Sequence, residues 1–241
     1  MVVPIVPTAI LFDLLNGGDK AWDWPPYREM AYAATGKAAR DFALGNVGAG
    51  LGAKAGNLKG GLGSASAIDS TTGLQVGALV AVNARGYTTM ADMPQFWAWA
   101  LEQNNEFGGL PPPPRGLSLS VSHDRADLTH DPADVARSDP RANTTIAVVA
   151  TNARIDKASA NRLAVMAQDG LARSIRPVHT PQDGDTVFVV ATGTHDLFVD
   201  HLTLAELGTL AADCLARAVA RGVYEARTLG AARGWRDVFG R

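Results

Sequence analysis

The sequence lacks most of the features that would mark a secreted, membrane-spanning or metal-built protein. It holds one cysteine, Cys214, so no disulfide can form within the chain. Cys214 falls in an apolar helical pattern, where a small core residue is expected. No run of 18 apolar residues occurs, which excludes a spanning helix of the usual kind. The opening Met1-Val2-Val3-Pro4-Ile5-Val6-Pro7 has no basic segment and is broken by prolines, so it does not read as a signal peptide. Charge of one sign is also missing. The 22 basic and 24 acidic residues leave a net charge of −2, and no basic stripe points to nucleic acid or an anionic membrane surface. The five histidines, His123, His130, His179, His195 and His201, have no metal-ligand spacing, and no metal is expected. There is no Gly-x-Ser-x-Gly elbow, no phosphate-binding Gly-x-x-x-x-Gly-Lys-Ser/Thr and no Gly-x-Gly-x-x-Gly between strand and helix. An α/β-hydrolase and a nucleotide cofactor are therefore not expected, and a cytoplasmic protein without cofactors is.

The chain does have ordinary globular material. Its 241 residues are 46% hydrophobic and 19% charged, enough for a substantial core in one domain spanning 1–241. Thr8–Leu15 reads as a buried strand ending in a turn at Asn16-Gly17-Gly18, and Tyr27–Phe42 as a helix weakened by Gly36. Gly45 to Gly63 holds eight glycines, and close backbone packing is the better reading of them. Leu74–Val82 is a strong strand with Asn83 at its end. Met90–Gly109 reads as a short helix or an adaptable lid, Pro111–Pro114 as extended chain, and the polar stretch up to Asn143 (110–143) as an exposed linker. Beyond it, strands at Thr144–Thr151 and Thr186–Ala191 alternate with amphipathic helices at Asp156–Ser174 and Leu204–Ala226. That alternation predicts helices packed on a sheet, an α/β architecture. The abrupt apolar start suggests that the chain opens inside a domain.

The junction Ala142-Asn143-Thr144-Thr145-Ile146 carries the most chemistry. A threonine hydroxyl is a weak nucleophile until a base takes its proton. Cleavage of the Asn143–Thr144 bond would free an α-amine beside the hydroxyl, with an ordinary pKa of about 7.7–8.0 that suits a base near neutral pH. Taken alone, the junction reads more commonly as a loop entering a buried strand. The other candidates also carry two readings. Lys59 is either held by the glycine-rich segment or is a solvated turn lysine. Asn83 can donate to a developing oxyanion or simply end a strand. Asp183 and Asp185, flanking Gly184, can orient an amine or form an acidic turn.

Together these segments resemble the P1 family of self-processing aminopeptidases, the group of the L-aminopeptidase/D-esterase, the β-peptidyl aminopeptidases and the nylon-oligomer hydrolases (peptidase family S58). The resemblance rests on four stretches in family order. These are Val3–Leu14, the pair Gly45-Asn-Val-Gly-Ala-Gly50 and Leu58-Lys-Gly-Gly-Leu-Gly-Ser-Ala-Ser66, Asn143–Asn152 and Pro177–Phe188. It implies an αββα sandwich similar to N-terminal-nucleophile hydrolases, lacking the family's N-terminal portion. It also implies cleavage between Asn143 and Thr144 into an α-subunit-like part (1–143) and a β-subunit-like part (144–241). Thr144 would be the nucleophile, Asn83 the oxyanion donor and Lys59 the catalytic lysine, with Asp183 and Asp185 positioning that lysine and the new amine.

The implied activity is hydrolysis of a small peptide, amide or ester through an acyl-enzyme, in a homo-oligomer built as a tetramer of processed pairs. Acyl transfer by the same intermediate, or an unprocessed homologue acting as a binding partner, are the alternatives. Two departures bear on this. Asn57 stands where some relatives carry a lysine, and Phe12 where some carry a tyrosine able to donate to the oxyanion.

Overall fold

The computed structural model describes residue 3 and residues 5–90, 92–116 and 143–240. The expected linker therefore lies mostly outside the described residues; 110–114 is chain without hydrogen-bonded secondary structure, closed by a turn at 115–116.

Four strands form the main sheet in the order β3-β4-β5-β6: β3 (Gly61–Ile68), β4 (Gln75–Val82), β5 (Ile146–Thr151) and β6 (Thr186–Ala191). The last three match the expected strands closely, because β-branched and small apolar residues fill them. β3 and β4 form an antiparallel hairpin, pairing Gly61 with Val82 and Ile68 with Gln75. Asp69 ties its turn by accepting from the Thr71 and Thr72 amides. β4 runs antiparallel to β5, and β5 parallel to β6 with Ile146 opposite Thr186. A parallel pair needs a crossover, supplied by α2 (Lys157–Ser174). A separate hairpin joins β1 (Lys54–Ala55) to β2 (Leu58–Lys59).

Helices α2 and α3 (His201–Glu225) begin at aspartate caps. Asp156 accepts from the Ser159 amide and Asp200 from the Thr203 amide, each at 2.8 Å. These bonds satisfy donors that a helix N-terminus otherwise leaves open. Of the expected stripes, Leu163, Ala167, Gly170 and Leu171 on α2, and Leu207, Ala211, Cys214 and Ala218 on α3 are buried, while Met166 and Leu210 are half-buried. Glycine governs the approach of α3 to β3. A Cβ on Gly63 would lie 2.6 Å from the Gly222 nitrogen, too close for any side chain. The close-packing reading of the glycine-rich segment holds here.

The 90–109 segment contributes to the core. Among the described residues its helical turn is Trp99–Leu101; buried Phe96 stacks on Trp235 of α4 (Trp235–Phe239), and buried Phe107 packs edge-on against Phe96. Glu106 fastens it to α3 through a two-pronged pair with Arg217, at 2.6 and 3.0 Å. The N-terminal stretch departs from expectation. Residues 8–15 form no strand, and Ile10 and Leu15 are exposed, because no neighbouring strand pairs with them. α1 (Tyr27–Gly36) stops at the glycine and buries none of its residues. Of the expected sandwich, the described residues supply the four-stranded sheet and the helices packed on it, beside the two-stranded hairpin. Among them, no helix is long and apolar enough to cross a membrane.

Candidate active site

Strand register brings the candidates together. β5 and β6 are parallel and paired from Ile146 and Thr186, so the residues just before each strand emerge at the same sheet end. Asn143 bridges Asp183, and Thr145 O accepts from the Thr186 amide at 2.9 Å. β4 is antiparallel to β5, so Asn83, just past its end, reaches that end from the other side. The Thr144 amide donates to the Asn83 main-chain carbonyl at 2.6 Å. Three chain segments thus converge on the Asn143–Thr144 bond.

At that bond two donors share one acceptor. The Thr144 hydroxyl donates to the Asn143 carbonyl oxygen at 2.7 Å, and the Gly184 amide donates to the same oxygen at 2.9 Å. A main-chain N–H aimed at this oxygen is the kind of group that stabilises charge during addition to a carbonyl. Thr144 is buried, at 5% exposure. It lies so near Gly184 that a Cβ there would be 2.9 Å from the hydroxyl. In sequence Gly184 is visible only as the residue between two carboxylates. Only its position in register reveals the donor, and only its lack of a side chain leaves room for the hydroxyl.

Asn83 is fully buried, and its amide is anchored at both ends. Oδ1 accepts from the Lys54 amide at 3.0 Å, and Nδ2 donates to the Phe12 carbonyl at 2.9 Å. One N–H of that amide goes to Phe12, leaving a second N–H on the nitrogen. Phe12 enters through its main chain, which any residue at that position would supply.

The two aspartates sit at the site but contact neither the Thr144 nitrogen nor Lys59. Asp183 accepts from the Arg85 amide and from both the amide and the hydroxyl of Thr180. It locks the turn before β6. Asp185 accepts from the Thr145 amide at 2.9 Å and meets His179 Nδ1 at 2.8 Å. Burial pushes the Asp185 carboxyl above its ordinary value of 3.8, and Asp183 adds to the rise; the Thr145 amide and His179 oppose it. His179 has no metal-ligand spacing to single it out in sequence. It lies within the Pro177–Phe188 stretch, and with Val165, Gln168 and Gly184 it lines a cavity of about 640 Å³ beside the aspartates.

Lys59 is buried, not solvated, and its side-chain hydrogen bonds go to main-chain carbonyls. Its ammonium donates to the carbonyls of Gly50, Ala53 and Gly60 at 2.6, 2.8 and 2.8 Å, which uses all three protons. Burial lowers its pKa from 10.5 to about 8, offset in part by Asp13. Lys59 staples residues 50–54, the segment whose Lys54 amide holds Asn83. Among the described residues no cluster of His, Cys, Asp and Glu could hold a metal ion. Cys214 is buried, and desolvation raises its thiol to about 11, in keeping with a core role.

Comparison with known proteins shows the family and the fold. Residues 1–236 match the sequence model of peptidase family S58. An uncharacterized aminopeptidase of Mycobacterium tuberculosis (strain ATCC 25618 / H37Rv) is 40% identical over 248 residues, covering 99% of this chain and 68% of the relative. A 6-aminohexanoate-oligomer endohydrolase of Paenarthrobacter ureafaciens is 42% identical over 55 residues, 23% of this chain and 16% of that protein. Among solved structures, a protein of Pyrococcus horikoshii OT3 matches with TM-score 0.58 and 26% identity over 86% of this chain and 51% of its own. The L-aminopeptidase D-Ala-esterase/amidase of Ochrobactrum anthropi, a variant of the Ntn hydrolase fold, matches with TM-score 0.53 and 22% identity over 80% of this chain and 48% of its own. The chain spans about half the length of these solved structures.

Proposed function

This chain belongs to peptidase family S58, and from that premise we propose that it is a self-processing amidohydrolase whose nucleophile is Thr144. One observation carries the reading: the Thr144 hydroxyl and the Gly184 amide meet on the carbonyl oxygen of the bond to be cut. The threonine oxygen adds to the Asn143 carbonyl carbon, and Gly184 holds the developing oxyanion. The carbon–nitrogen bond breaks, the hydroxyl proton passes to the departing Thr144 nitrogen, and an ester remains. Water hydrolyses the ester, giving a carboxylate at Asn143 and a free amine at Thr144.

The amine then serves as base for its own hydroxyl. As the oxygen adds to a substrate carbonyl, the amine takes its proton and later gives it to the leaving amine or alcohol. Asn83 acts in two ways. Its main-chain carbonyl accepts from the Thr144 nitrogen and orients the lone pair, and its second side-chain N–H supplements Gly184 at the oxyanion. Losing a single oxyanion donor typically costs about 10²–10³ in rate. Asp185 fixes Thr145, Asp183 fixes the Gly184 turn, and Lys59 fixes the segment behind Asn83; all three act as positioning residues. Substrates are small peptides, amides or esters, 6-aminohexanoate oligomers among those worth assaying. The protein acts as a cytoplasmic homo-oligomer of processed pairs.

The test follows intact mass and turnover of p-nitroanilides together. Wild type splits at Asn143–Thr144 and then turns over substrate. Thr144→Ala stays whole and inactive, and Thr144→Ser retains both steps. A Thr144→Ala protein that still splits at that bond rules out the assignment, and wild type that never splits favours the unprocessed binding homologue. Product trapped on an added amine would place acyl transfer ahead of hydrolysis.

A further inference from the structure

Self-cleavage creates a charge that the uncut chain does not have. With Thr144 as nucleophile, scission turns the Asn143 carbonyl into a chain-end carboxylate, ionised near neutral pH. Before the cut, that carbonyl oxygen accepts from the Gly184 amide at 2.9 Å. A substrate carbonyl needs the same amide, so the new chain end has to vacate it. The end remains tethered to the protein, and a tethered group competes at an effective concentration on the order of mM. Turnover therefore requires another place for this carboxylate to bind.

The charges around Asn143 select that place. The larger cavity carries Asp183 and Asp185 in its wall, and like charges repel a third carboxylate. A second, smaller cavity of about 180 Å³ has Asn143 itself in its wall, together with Lys54 and Arg85. Among the described residues its lining holds these two cations and no carboxylate. Lys54 is exposed and Arg85 half-buried, and among the described residues neither side chain makes a hydrogen bond or ion pair. The acids at the site are committed elsewhere: Asp183 accepts from the Arg85 main-chain amide and from Thr180, and Asp185 from Thr145. Resting on the reading of Thr144 as nucleophile, we infer that Lys54 and Arg85 form a binding site for the Asn143 chain-end carboxylate, which frees the Gly184 amide for substrate. The planar Arg85 guanidinium can take a carboxylate through two parallel bonds, and the Lys54 ammonium adds a point charge at the rim. Two cations without an anion before the cut gain one because of it.

The experiment treats the cleaved protein with a water-soluble carbodiimide, which joins a carboxylate to an amine in contact with it, and maps the products by peptide mass. Wild type should yield an amide between the Asn143 carboxylate and the Lys54 amine. A carboxylate still lying against Gly184 would instead couple to the Thr144 amine and reseal the chain. Carboxypeptidase A supplies a second readout, the rate at which asparagine is released from the new end. Lys54→Gln/Arg85→Gln should release it about tenfold faster or more than wild type, and raised salt should speed release from wild type in the same direction. Lys54→Arg keeps the charge but has no amine to couple, so the link should vanish while the slow release persists. A resealed chain in place of the Lys54 link, or asparagine release that neither the double variant nor salt alters, overturns the inference. Intact mass of the same sample separates the two claims. A cut chain without the Lys54 link defeats the docking alone, whereas a chain that never splits defeats the nucleophile reading and removes the carboxylate with it.

Discussion

Replacing Gly184 by alanine tests the arrangement around Thr144 with the smallest possible change. The added Cβ would stand 2.9 Å from Thr144 Oγ1, but 3.6 and 3.7 Å from Cγ2 and Cβ, which are ordinary contacts. Only the hydroxyl is crowded. Gly184 is not among the glycines with positive φ, so alanine can keep the backbone and the N–H aimed at the Asn143 carbonyl. The oxygen must therefore retreat by a few tenths of an ångström or leave its rotamer. An off-rotamer torsion costs about 0.5–1.5 kcal/mol, a factor of roughly 2–12 at 25 °C, and a misplacement near 1 Å can cost on the order of 10²-fold. Self-cleavage should slow by about 10- to 100-fold. Stability should change by less than about 1 kcal/mol, because alanine also lowers the entropy of the unfolded chain. Pulse synthesis followed by a denaturing-gel time course measures the cleavage, and a thermal melt measures the stability. An alanine variant that splits as fast as wild type would refute the claim that the hydroxyl reacts from its place against Gly184.

Other perturbations separate reacting groups from supporting ones. Folding raises the Asp185 pKa above 3.8, so between 3.8 and the raised value the folded chain binds more protons than the unfolded one, and this group's contribution to stability falls as pH rises through that window. Asp185→Asn can keep both hydrogen bonds and does not titrate, so it should gain on wild type in denaturant titrations as pH goes from about 4 to 7; a variant that loses ground would contradict the sign. Glu106→Ala leaves the buried Arg217 guanidinium without its partner and should cost about 3–5 kcal/mol, read as a lower denaturation midpoint. Lys59→Met removes the donor from three carbonyls and should cost about 1–3 kcal/mol. If it instead abolished cleavage at unchanged stability, Lys59 would be acting on Thr144 and not as a staple.

The sequence made the second half of the fold readable and the first part less so. β4, β5, β6 and the two long helices announce themselves by β-branched runs and by apolar stripes at helical spacing, and Asp156 and Asp200 stand where caps belong. Residues 8–15 carry the same apolar signal, yet no strand pairs with them, and hydrophobicity alone does not supply a partner. At the site, Thr144, Asn83, Asp183 and Asp185 were visible as residue types. What they touch was not, because that depends on β5 and β6 being parallel and in a particular register. For the same reason Gly184 and His179 went unnoticed, and Arg85 became visible only once Asn83 had placed its turn at the sheet end. Lys59 was found for its position beside the glycines, but a lysine whose three protons all go to backbone carbonyls leaves no mark in sequence.

The central claim is that the bond before Thr144 is cut by Thr144 itself. N-terminal sequencing of the purified protein, after incubation in buffer alone, reads this directly. The account predicts a new chain end beginning Thr-Thr-Ile-Ala-Val in amount equal to the original one. A single uncut chain after prolonged incubation, or a new end at any other residue, would contradict it.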